Sequence, residues 1–257
     1  MTNRLDGKIA IVTGIGSGIG KGCALRFAAE GAIVIGTDIN SVSAQKTIDE
    51  ARDQGLTITA IHPVDLTDPA QVDTFVADAT REHGKIDILV NAGAIEPRMG
   101  TTAELDFEKG WRPTIAGEID LVFLLTQAAW PYLVKSGSAS IINFASVNSF
   151  RGSRNLGMVA HCAGKGAVLS MTKQMAVEGG PLGIRANTIA PGLVQTDATA
   201  AAGATSGPVY EAIVARTLVG RLGVPDDIAW GAVYLASDES RWVTGANFSI
   251  DGGVTAI

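Results

Sequence analysis

Cysteine is scarce in this sequence. Only Cys23 and Cys162 occur among 257 residues, and neither belongs to a C-x-x-C pair or to a Cys/His cluster with zinc-ligand spacing. A disulfide framework and a structural metal are both left out on that ground, and the sparing use of cysteine points to a reduced, cytoplasmic setting. Long apolar runs are lacking too. No uncharged apolar stretch reaches the length of about 18 residues that a bilayer demands, and the apolar residues ending at Thr13 are too few for a signal-peptide core. Neither a membrane span nor a leader is expected. Positive charge is in deficit: 20 Lys and Arg stand against 26 Asp and Glu, a formal net charge of −6. The basic residues are scattered along the chain, so nucleic acid is not an expected partner. What is plentiful is apolar side chain and glycine, 46% hydrophobic residues and 31 Gly. Such a chain folds, and its length suits one α/β domain over residues 1 to 257 with a substantial core.

Short β-branched runs alternate with stretches of helical period. Ile9-Ala10-Ile11-Val12, Ile33-Val34-Ile35, 57 to 61, 86 to 90, 140 to 144, about 184 to 190 and 246 to 250 read as buried strands. Helices are expected over about 18 to 30, 42 to 54, 69 to 83, 104 to 135, 155 to 178 and 225 to 236, with Asp68-Pro69 as cap and first helical position. This alternation implies right-handed crossovers and a doubly wound parallel sheet covered by helices on both faces. The stretch from 193 to about 210 is rich in Ala, Thr and Gly and long for a structureless connection. It reads as a mobile lid over a site, the plain alternative being a solvated loop with some helix in it.

Thr13-Gly14-Ile15-Gly16-Ser17-Gly18-Ile19-Gly20 joins the first strand to the first helix. There, backbone N–H groups and the helix dipole favour a pyrophosphate. The familiar G-x-G-x-x-G template fails, because Ile19 stands where its third glycine belongs, whereas G-x-x-x-G-x-G is met by Gly14, Gly18 and Gly20. Asp38 ends the second strand, where a carboxylate accepts hydrogen bonds from ribose hydroxyls and repels a 2′-phosphate. Ile39-Asn40 follow it and no Arg or Lys lies in the glycine turn, so the expected cofactor is NAD rather than NADP.

These residues, together with Asp65-Leu66, Asn91-Ala92-Gly93, Gly183-Ile184-Arg185-x-Asn187, Pro191-Gly192 and Asp251-Gly252-Gly253, fall in the order found in the short-chain dehydrogenase/reductases. The chain resembles that family over essentially its whole length. The resemblance implies a single-domain Rossmann-type fold, a nicotinamide dinucleotide, a small-molecule substrate and a homotetramer packed through long helices. It places Gly14, Ser17, Gly18, Ile19, Gly20, Asp38, Ile39, Asp65, Leu66, Asn91, Ala92, Gly93, Lys165, Pro191, Gly192, Val194 and Thr196 around the dinucleotide. Asp65 is thereby assigned to adenine and Thr196 to the nicotinamide carboxamide.

At the catalytic positions the family pattern breaks. The family uses a Ser after the fifth strand, a Tyr-x-x-x-Lys pair on the next helix and an Asn on the helix before. Ser146 and Lys165 match, but His161 stands at the tyrosine position and Glu118 at the asparagine position. A phenol, with an ordinary pKa of about 10, needs neighbouring cations to act as a base, whereas imidazole, at about 6.5, does not. Imidazole is shorter than phenol, however, and a misplacement of about 1 Å can cost on the order of a hundredfold in rate. Glu118 is open to three roles in the site, pairing with Lys165, holding a protonated His161 or extending a proton relay, the plain alternative being a solvated or structurally paired glutamate. Pro113 and Gly117 are poor helix-interior residues, so the segment carrying Glu118 is expected to be bent or partly unwound. Tyr132, Tyr210 and Tyr234 offer no obvious replacement for the missing tyrosine. Arg98, Arg151 and Arg154 fall in segments that the resemblance places near the substrate, where they would meet an anionic group unless they are ordinary surface arginines.

Three readings follow. In the first, the protein oxidises a secondary alcohol, Ser146 holding the oxygen and His161 removing the proton while Lys165 grips the nicotinamide ribose. In the second, the enzyme is redox-neutral and performs elimination, hydration, isomerisation or bond cleavage beside a bound nucleotide. In the third, the chain is a nucleotide-binding regulator without turnover.

Overall fold

The computed structural model describes residues 3–153, 156–201 and 203–257. Its seven strands form one parallel sheet in the order β3-β2-β1-β4-β5-β6-β7. The strands are β1 (Ile9–Thr13), β2 (Ile33–Thr37), β3 (Ile58–Ala60), β4 (Ile88–Asn91), β5 (Ala139–Phe144), β6 (Ile184–Pro191) and β7 (Asn247–Ile250). From β1 the chain winds outward to β2 and β3, then crosses back to β4 on the other side of β1. That reversal opens a crevice at the carboxyl ends of β1 and β4, the place where open α/β sheets bind ligands.

Side chains alternate across the strands and so feed two cores. Ala10, Val12, Val34, Ile88, Val90 and Ile142 pack on Cys23, Ala24 and Phe27 of α1 (Gly18–Ala29) and on Ile228, Ala232 and Val233 of α9 (Pro225–Ala236). On the opposite face, Ile9, Ile11, Ile35, Leu89 and Ile141 meet Phe75 and Val76 of α3 (Pro69–Thr80), Leu125 and Leu133 of α5 (Leu121–Ser136) and Val168 and Met175 of α6 (Val159–Gly179). The caps are local. The Asp68 side chain accepts from the Ala70 N–H at 3.0 Å with Pro69 behind it, and Asn40 opens α2 (Ser41–Asp53) in the same way through the Ser43 N–H. Gly137 ends α5 at φ 70°, a left-handed turn that glycine tolerates best.

The stretch expected as one helix from 104 to 135 is interrupted, as Pro113 and Gly117 foretold. π-helical turns at Phe107–Trp111 and Ala116–Asp120 flank a short α4 (Arg112–Ile115) and lead into α5. The second of these turns has a visible cause. The Gly117 carbonyl accepts a hydrogen bond from the Ile95 N–H at 3.1 Å, which draws it away from the helical ladder. One further boundary differs from that expected: the helix read from 155 starts at Val159, Asn155 lying outside the described residues. The stretch from 193 to 210 contains α7 (Asp197–Ala201) and the start of α8 (Gly207–Val214), in keeping with the alternative of a loop with some helix in it; Ala202 is outside the described residues. Among the described residues no helix is long and apolar enough to cross a membrane, and no group of His, Cys, Asp and Glu forms a metal site.

Candidate active site

The glycine turn sits at the crevice, and each glycine there has a steric reason. Gly14, at φ 69°, would put a Cβ 2.9 Å from the Gly93 Cα, and a Cβ on Gly20 would lie 2.2 Å from the Gly14 carbonyl oxygen. Both approaches require the bare backbone. Thr13, which the sequence reading passed over, ties the two sides together: its Oγ1 accepts from the Gly93 N–H at 2.8 Å and donates to the Val90 carbonyl at 3.3 Å. Ser17 caps α1 by backbone position only and makes no side-chain cap bond, so its side chain does not occupy the first-turn N–H groups. Ile19 packs its side chain on the core instead.

A cavity beside this turn is lined by Gly14, Asp38, Ile39, Asp65, Leu66 and Gly93, with Val64, Thr67, Ala94, Ile95 and Leu121 completing the wall. Six predicted nucleotide residues are thus brought to one hollow. The Asp38 carboxylate accepts from the Gly16 N–H and from the Asn40 N–H, each at 2.8 Å, so it is held in place without a cation. Asp65 accepts from the Thr67 N–H and hydroxyl. Asn91 turns its side chain inward, donating to Asn143 Oδ1 at 2.7 Å and to Thr126 Oγ1 at 3.1 Å. It braces β4 against β5 and α5, while the backbone at Ala92 and Gly93 carries on to the cavity. Across the crevice, Thr196 rests on the turn, its Cγ2 3.2 Å from where a Gly18 Cβ would be. Ser17, Gly18 and Thr196 line a second depression with Lys21 and Arg26. Gly192 and Val194 belong to a third hollow, next to Asp251, where a Gly192 Cβ would strike the Asp251 backbone at 2.9 Å. Pro191 closes β6 just ahead of it.

The four catalytic candidates gather on α6 and the segments packed against it. Ser146 follows β5 and caps the turn Val147–Ser149, its Oγ accepting from the Asn148 N–H at 3.1 Å. That turn lies against α6. Lys165, one helical turn after His161, donates through Nζ to the Phe144 carbonyl at 3.1 Å, two residues before Ser146. Burial lowers the Lys165 ammonium below the ordinary lysine range, and the Glu118 charge opposes that shift. Of the roles left open for Glu118, the structure takes contact with His161: Glu118 Oε1 lies 2.5 Å from His161 Nδ1. The Glu118 side chain is 1% exposed and that of His161 14%. Among the described residues Glu118 Oε2 has no hydrogen-bond partner, although it is buried. Gly164, also missed in the sequence, makes room for it, since a Cβ there would stand 2.2 Å from Oε2. Its signal was a glycine in the middle of a long helix, where glycine is costly.

The remaining candidates lie elsewhere. Tyr132 sits beside the amino end of β4, away from the crevice at the carboxyl ends of the strands, its carbonyl accepting from the Ile86 N–H, and Tyr234 packs on Phe248. Arg98 is exposed, and Arg151 donates to the Val254 carbonyl at 2.9 Å. Arg154 is outside the described residues. Neither thiol is a ready nucleophile, because burial raises Cys162, with the Glu118 charge adding to the effect, and pushes Cys23 up to about 12.

Residues 14–255 match the family model described as Enoyl-(Acyl carrier protein) reductase. A 2,5-dichloro-2,5-cyclohexadiene-1,4-diol dehydrogenase of Sphingobium indicum is 40% identical over 255 residues, covering 98% of both chains. Among solved structures, a short-chain type dehydrogenase/reductase from Mycobacterium marinum superposes with a TM-score of 0.91 at 32% identity, covering 98% of this chain and 97% of that one. A gluconate 5-dehydrogenase from Burkholderia cenocepacia J2315, solved with NADP and tartrate, gives a TM-score of 0.90 at 32% identity over 99% and 98% of the two chains.

Proposed function

Because the chain belongs to the short-chain dehydrogenase/reductase family of oxidoreductases, we propose that it moves hydride between NAD(H) and a secondary alcohol or its ketone, with His161 as acid and base. The observation that carries this reading is the placing of His161. It stands one turn before Lys165 on α6, the helix packed against the turn that Ser146 caps, with its Nδ1 edge turned to Glu118 at 2.5 Å. The nicotinamide supplies the hydride acceptor. The chain does the rest: bare Gly14 and Gly20 let the turn close against Gly93 and against itself, Gly18 takes a left-handed φ of 55°, and the first-turn N–H groups of α1 would hold the pyrophosphate. Ser146 holds the substrate oxygen, His161 takes its proton, and Lys165 grips the nicotinamide ribose while Thr196 reaches the carboxamide. NAD is favoured over NADP by Asp38, whose carboxylate faces the ribose position with Ile39 beside it and no cation bonded to it. A dehydrogenase of a cyclic diol among the relatives supports an alcohol as substrate. The segment from 193 to 210 acts as the lid, with Thr196 already on the glycine turn.

The test is NADH formation by wild type and His161→Ala on a panel of secondary alcohols. One NADH per alcohol consumed is expected, and a fall in kcat of about 10²–10⁴-fold in the variant, the usual worth of a positioned acid/base. Unchanged turnover in His161→Ala overturns the role of His161. Substrate loss without NADH would instead mean redox-neutral chemistry, and a wild type silent toward every substrate that binds would mean a regulator.

A further inference from the structure

We propose that Glu118 is a positioning residue which fixes the tautomer of His161, placing the ring proton on Nδ1 and the basic lone pair on Nε2, and that Gly164 is the residue whose missing side chain admits it. The inference rests on His161 being the acid/base and names the atom that does the work. An ionised carboxylate only accepts hydrogen bonds, so a neutral imidazole 2.5 Å from Glu118 Oε1 through Nδ1 must be the donor. Its other nitrogen, Nε2, is then the one free to take a proton. When it does, the Nδ1 proton stays where it is, and an imidazolium faces a carboxylate. No proton passes to Glu118.

Three features built into the fold serve this contact. The π-helical turn Ala116–Asp120, opened by the bond from the Ile95 N–H to the Gly117 carbonyl, aims a carboxylate into the interior against α6. Glu118 is 1% exposed, and its Oε2 has no partner among the described residues, so the bond to His161 is the one that holds the carboxylate in place. Gly164 lies mid-helix, where alanine would favour the helix, yet an alanine Cβ would come within 2.2 Å of Oε2. A helix that keeps glycine at that position keeps it for the carboxylate.

Selective ¹⁵N labelling of histidine tests this without substrate, because the chain has only 3 His and the signal of His161 is found by its loss in His161→Gln. At a pH where the His161 ring is neutral, wild type should show its proton on Nδ1. In Glu118→Gln, whose side chain both donates and accepts, the single tautomer should be lost, with kcat lower by on the order of a hundredfold or more and nucleotide affinity unchanged. Gly164→Ala should reproduce both effects when Glu118 is present and add nothing further to them when Glu118 is replaced by Ala, a non-additivity that a general packing defect would not produce. Should Glu118→Ala fail to fold, the isosteric Glu118→Gln decides alone. A wild-type ring protonated at Nε2 overturns the proposal, and so does a Glu118→Gln variant with unaltered tautomer and kcat. If His161→Ala keeps full turnover, the acid/base reading falls first, and the spectra still report whether Glu118 sets the tautomer.

Discussion

At the scale of single residues, the nucleotide site is made of absences and one charge. Gly20 has no Cβ because the Gly14 carbonyl occupies the place at 2.2 Å. Gly20→Ala is expected to lower NAD affinity at least about tenfold, since the turn must shift to take the methyl and distances at a bound ligand tolerate little displacement; titration calorimetry would measure it. Asp38, held by the N–H groups of Gly16 and Asn40, is the residue that the proposed preference for NAD rests on. Replacing it by Ser and Ile39 by Arg removes the repulsion and adds a cation. The ratio of kcat/KM for NADP over NAD should rise by about a hundredfold or more, in line with the worth of a charge-assisted contact to phosphate. A ratio that stays put would move the specificity away from the end of β2.

At the scale of elements, joints decide more than elements do. Asp87, just ahead of β4, accepts from the Ile9 N–H at 2.9 Å, from the Ser136 hydroxyl at 2.5 Å and from Lys85 at 3.0 Å. One carboxylate thus fastens the start of β1 and the end of α5 to β4. Burial alone would raise its pKa, but these hydrogen bonds and the Lys85 charge outweigh it and hold the carboxyl below its usual range. Because the folded value is depressed, the stabilisation is present above the ordinary carboxylate pKa and disappears as pH falls through the lower, folded value. Asp87→Ala should cost about 2–3 kcal/mol in urea unfolding at neutral pH, the price of losing charged hydrogen bonds and orphaning the Ile9 N–H. The deficit should shrink in acid. A variant as stable as wild type at neutral pH would show that the joint is redundant. The π-helical turn Ala116–Asp120 is a joint of the same kind, where the Gly117 carbonyl accepts from the Ile95 N–H outside the helix.

At the scale of the whole molecule, the two cores are filled, but α5 still presents Phe123, 47% exposed, and Val134, 36% exposed. Apolar residues on a long surface helix are what a symmetric partner would cover. Light scattering is expected to give four times the mass of the chain, and Phe123→Asp with Val134→Asp should reduce it while the far-ultraviolet circular dichroism stays native. A monomer at micromolar concentration would refute the assembly.

Much of this architecture is legible along the chain, and the rest is not, for one physical reason. Strand and helix alternation, the glycine turn, the acid ending β2 and the histidine and lysine one turn apart are contiguous features, each governed by periodicities and backbone freedoms that act over a few residues. They determined the fold class and the crevice, and they nominated the candidate residues of the site. What the tertiary structure alone decided is how those members are paired. Glu118 meets His161 across 43 positions, at an angle set by a carbonyl that Ile95 claims from outside the helix. Thr13 reaches Gly93 across 80 positions. Contacts of that span depend on where the sheet and its covering helices come to rest, and no local pattern in the sequence records it.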